Sequence, residues 1–96
     1  MSFKDLIFRE VRPNHFQAVQ QFGRYKLSVI LEERKTLYEV AIFEGADFVQ
    51  LPGIHGIPED EDDITDDVIP GLLPEDVSGI MAKLKFLETF SKEVDI

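Results

Sequence analysis

The chain has 96 residues, of which 44% are apolar, with 10 Lys and Arg against 19 Asp and Glu and no Cys. That length fits one domain with a small core. The composition excludes wholesale disorder, a disulfide framework and a thiolate metal site. No apolar run is long enough to span a membrane. The opening MSFKDLIFRE carries charges inside its apolar part, which is not a signal-peptide pattern, so a reducing, cytoplasmic location is expected.

In chain order, Leu6–Val11 reads as a strand, because Pro13 and Asn14 punctuate the run early. A competing reading has Ser2 and Asp5 capping a short helix that carries Phe3, Leu6 and Ile7. Phe16, Ala18, Gln20 and Phe22 share one face of the next run, with Val19 on the other, and Gly23 turns the chain. Tyr25, Leu27, Val29 and Leu31 alternate with Lys26, Ser28 and Glu32, and Tyr38, Val40 and Ile42 alternate with Leu37, Glu39, Ala41 and Phe43. Two such runs joined by the polar Glu32-Glu33-Arg34-Lys35 predict a β-hairpin. Ile30 and Phe43 break the alternation and point to a second sheet face that something partly covers.

From 52 to 73 the spacing predicts a Pro- and Gly-rich acidic loop, with Phe48, Val49 and Leu51 extending a last short edge strand before it. From 74 to 91 it predicts a helix. Pro74 suits the first turn, Glu75 and Asp76 complement the positive end of the dipole, and Val77, Ile80, Met81, Leu84 and Leu87 form one stripe. Gly79 weakens that helix, unless it serves close approach to the sheet. The predicted fold is α+β: residues 1–51 form an antiparallel β-meander of about four strands, with the C-terminal helix packed on the sheet. Its core is Leu6, Phe8, Ala18, Leu27, Val29, Tyr38, Val40, Ile42, Val77, Ile80, Met81, Leu84 and Leu87.

The charge layout is local. Glu59, Asp60, Glu61, Asp62, Asp63, Asp66 and Asp67 place seven acids in nine residues, and no Lys or Arg occurs between Lys35 and Lys83. Such a surface repels phosphate, so neither nucleic acid nor an anionic membrane is expected as a direct partner. It suits a basic protein surface, with fast and salt-sensitive association. Mimicry of nucleic acid is one sharp version of that role, and simple solubility is the plain alternative.

Specific metal or catalytic chemistry has little support. Read as a calcium loop from Asp60, the run puts Ile64 and Thr65 where a ligand and a glycine belong. His15 and His55 stand far apart without Cys. No Ser lies in a Gly-x-Ser-x-Gly setting, and Gly53-Ile54-His55-Gly56 lacks the lysine of a phosphate loop. No catalytic, cofactor-binding or metal residue is therefore assigned, and an enzyme is not expected.

Several segments taken together resemble small accessory proteins of tailed bacteriophages. They are Phe3-Lys4-Asp5-Leu6-Ile7-Phe8, Gln17-Ala18, Ser28-Val29, Leu37-Tyr38-Glu39-Val40-Ala41, and Ile64-Thr65-Asp66-Asp67-Val68-Ile69 leading into Leu73-Pro74-Glu75-Asp76-Val77. The chain departs from that pattern where Gly23-Arg24-Tyr25-Lys26 replaces a Gly-Tyr-Gly and where Glu32-Glu33-Arg34-Lys35 replaces a Gly-rich turn. The resemblance implies a meander with a C-terminal helix and a host-cell setting, but no activity. The expected role is a non-enzymatic protein–protein interaction module in the host cytoplasm, its acidic run contacting a basic host partner. The alternative is a structural homo-oligomer that buries the second sheet face. The aromatics Phe16, Phe22, Tyr38, Phe43, Phe48, Phe86 and Phe90 exceed what one small core needs, and either a second copy or the 47–73 segment would use them.

Overall fold

The computed structural model describes residues 1–51, 54 and 68–94. A 3-10 turn, Phe3–Asp5, precedes β1 (Arg9–Arg12), β2 (His15–Phe22), β3 (Tyr25–Leu31), β4 (Tyr38–Glu44), β5 (Asp47–Phe48), β6 (Val68–Leu72) and α1 (Pro74–Val94). Strands β1 to β5 form an antiparallel meander, and β6 also pairs with β4. The α+β reading, a meander carrying one C-terminal helix, is what the chain adopts.

The turns follow from residues that accept a left-handed backbone. Asn14 (φ 62) closes β1 onto β2, and Gly45 (φ 64) closes β4 onto β5. Gly23 (φ 58) opens the turn between Phe22 and Tyr25, where an added Cβ would lie 3.0 Å from the Glu88 Cγ of α1. Gly79 has no such constraint: it is exposed on α1, and a Cβ there would meet nothing within 4 Å. Its role as a point of close approach is thereby corrected. Gly23→Ala is expected to cost about 1–2 kcal/mol, and Gly79→Ala to stabilise by about 1 kcal/mol. Thermal melts of the two variants should therefore shift in opposite directions.

Helix α1 lays Val77, Ile80, Met81 and Leu84 on one face of the sheet, against Phe22, Tyr25, Leu27, Val29, Val40 and Ile42. Its start is tied by the Leu73 N–H, which donates to the Asp76 carboxylate at 2.9 Å. The 3-10 turn docks on the helix through the Phe3 N–H, which donates to Ser78 Oγ at 2.9 Å. Phe3, Phe8 and Tyr38 then form a cluster with ring centroids 4.9 to 5.7 Å apart.

Five expectations need correction. The N-terminus uses both competing readings, since the Ser2 N–H donates to Asp5 at 2.7 Å in a helical turn and the strand begins only at Arg9. Among the described residues the sheet has six strands, five in the meander and β6 added on β4, where about four were expected. The loop expected over 52–73 ends early, because Val68–Leu72 is a strand. Pro70 and Gly71 look like breakers, but among the described residues β6 pairs only with β4, and a register shift together with Gly71 at φ 72 absorbs them. The helix runs to Val94 instead of residue 91. Finally, Leu6, Phe8, Tyr38 and Leu87 only flank the core, whereas Phe22 and Tyr25 are within it. The alternation had put both on the correct face, but Phe22 was also counted among the spare aromatics.

Candidate interaction surfaces

Strands β5 and β6 occupy the same edge of β4 in succession. Phe43 pairs with Phe48, and the Val49 N–H donates to the Ile42 carbonyl at 2.9 Å. Ala41 then pairs with Val68. The chain thus leaves the sheet beside Ile42 and rejoins it beside Ala41, the adjacent residue of β4. Val49, Leu51, Ile54 and Ile69 pack against the core on either side of this departure. The seven acids, Glu59, Asp60, Glu61, Asp62, Asp63, Asp66 and Asp67, belong to the excursion and lie outside the described residues, as do His55 and the Phe90 side chain.

A second surface is the sheet face that α1 does not cover. Strand pairing sets its residues in rows. One row runs Arg9, Gln17, Ile30, Glu39, and a second runs Val19, Ser28, Ala41, Val68. A third runs Gln21, Lys26, Phe43, Phe48. In the middle row the small residues Ser28 and Ala41 are only 3% and 7% exposed, while Val19 and Val68 at its ends rise to 50% and 39%. Gln17 Nε2 donates to Ser28 Oγ at 2.8 Å, which satisfies the hydroxyl.

Toward β1 the face opens into a groove of about 520 Å³ lined by Ile7, Arg9, Val11, Gln17 and Val19. Ile7 and Val11 are well exposed there. Among the described residues Arg9 has no ion-pair partner, whereas Glu39 at the far end of its row lies 3.7 Å from Lys35. At the opposite corner Phe43 and Phe48 stack with centroids 4.4 Å apart, and the Lys26 ammonium sits 5.2 Å from the Phe43 ring. Ile30 and Phe43, the two residues that broke the alternation, both belong to this face.

The described residues offer little else with chemical character. No three His, Asp or Glu among them could hold one metal ion. His15 begins β2 opposite Arg12. The hydroxyls of Ser28 and Ser78 accept hydrogen bonds from Gln17 and from the Phe3 backbone. No helix among the described residues is long and apolar enough to cross a membrane. The chain matches no family model, no curated protein and no solved structure. Its functional reading therefore rests on its own residues.

Sequence reasoning located the acids by charge alone. It anticipated a second, partly covered face from Ile30 and Phe43, but it missed Arg9. Arg9 carries no local signal; it becomes notable only once β1 pairs with β2.

Proposed function

We propose that this chain is a non-enzymatic protein–protein interaction module that presents the acids of Glu59–Asp67 to a basic protein surface. One observation carries the reading. The excursion that holds these acids departs and returns at adjacent residues of β4, Ile42 and Ala41, so it is closed at its base on a hydrogen-bonded edge. Closing the base lowers the conformational freedom that a partner must otherwise remove on binding. No Lys or Arg falls within the excursion to neutralise it. The partner is then a protein with a positive surface, with a bacterial cytoplasm as the setting that the phage resemblance implies.

The test is affinity capture from a bacterial lysate at low and moderate salt. Wild type is run beside a variant carrying Asp60→Asn, Asp62→Asn, Asp63→Asn, Asp66→Asn and Asp67→Asn. A basic protein retained by wild type, and lost from the variant, is the expected result. Equal recovery by both proteins would remove the acids from the role.

A further inference from the structure

We infer that the sheet face opposite α1 docks a second copy of the chain, face to face across a two-fold axis that runs along the strands between β2 and β3. This surface is separate from the acidic excursion, and the inference does not depend on the reading given above.

Complementarity selects the occupant. Within one copy the row Arg9, Gln17, Ile30, Glu39 has a cation at one end and an anion at the other. An axis between β2 and β3 reverses the strand order of the second copy. It therefore sets Arg9 of each copy opposite Glu39 of the other, twice, and gives Arg9 the partner it lacks among the described residues of its own copy. The same operation sets Val19, 50% exposed, opposite the small Ser28 of the other copy. The charges are thus matched by one symmetry operator, as a two-fold interface requires. Aligned face-to-face packing is also the common way for two sheets to associate.

A different mode, strand addition along the outer edge of β1, is disfavoured. That edge is four residues long, bears Arg9, Glu10 and Arg12, and has a register shift between Glu10 and Arg12. Those are the features that keep an edge from pairing.

The face is small. Four strands at ~4.8 Å spacing and about seven residues at ~3.3 Å rise give roughly 19 by 23 Å, well below the ~800 Å² per partner of a standard interface. The dimer is therefore reversible and concentration-dependent.

Analytical ultracentrifugation across a wide concentration range tests this. Wild type is expected to move from 11.0 kDa toward twice that mass. Arg9→Glu and Glu39→Arg alone should each raise the dimer Kd at least tenfold, and the double exchange should bring it back toward wild type. Circular dichroism melts confirm that each variant is folded. Val19→Lys, at an exposed position, serves as a second disrupting variant if either single exchange fails to fold. The variant with five Asp→Asn changes in the acidic run should keep the wild-type dimer Kd, so this surface and the acidic run stand or fall separately. A single 11.0 kDa species throughout, a dimer indifferent to the exchanges and to Val19→Lys, or a double exchange no better than either single one would overturn the proposal.

Discussion

Phe22→Ala is expected to lower the unfolding free energy by about 3–5 kcal/mol, and Phe86→Ala to change it by less than about 0.5 kcal/mol. Phe22 ends β2, is 2% exposed and belongs to the cluster that α1 covers; Phe86 lies on that helix at 69% exposure. Truncating Phe22 removes a ring from between sheet and helix, and neighbours tied into β2, β3 and α1 have little room to collapse onto the space. Domains of this size typically have a total stability of roughly 5–15 kcal/mol, so the Phe22 variant should be marginal at 37 °C. Urea denaturation of both variants measures the difference through the shift in midpoint. Similar midpoints would mean that α1 does not cover the sheet with the face described.

That contrast also shows what the sequence could reveal. Period-two alternation over 25–31 and 38–42 located the central hairpin, because one face of each strand is sealed by the helix and tolerates no polar residue. The stripe Val77, Ile80, Met81, Leu84 located the helix face for the same reason. Strand β6 was hidden because Pro70 and Gly71 normally break a strand, and its edge position among the described strands makes them acceptable. The 3-10 turn was hidden because three residues carry too little periodicity to outweigh the strand-like run that follows. Spare aromatics could be counted but not sorted: Phe22 went to the core, Tyr38 to a cluster with Phe3 and Phe8, and Phe43 with Phe48 to the face opposite α1. The acids were legible as charge from the first reading. Their shared point of departure on β4 was not, since it depends on two pairings made from opposite ends of the excursion.

Converting Asp60, Asp62, Asp63, Asp66 and Asp67 to Asn is expected to slow association with the basic partner by at least about tenfold at low ionic strength. The direction follows from long-range attraction. A dense cluster of like charge biases diffusional encounter before any contact forms, and removing five of its seven carboxylates removes most of that bias. Dissociation should change less, because long-range charge attraction acts mainly on encounter. Stability should change little, because the substitutions are near-isosteric and remove no apolar side chain. The change is also expected to ease self-repulsion in a chain of net charge −9, so a small gain in melting temperature would fit the same account.

The measurement that bears most directly on the acidic run is the association rate of wild type and of this five-site variant with the captured partner, followed from low to moderate ionic strength. The Debye length is about 30 Å at 0.01 M and about 10 Å at 0.1 M. Wild type should therefore associate much faster at low salt and slow steeply as salt rises, while the variant starts slow and changes little. The two curves should converge at high salt. A wild-type rate that does not respond to salt, or a variant that tracks wild type at every ionic strength, would contradict the claim that these acids form the functional surface.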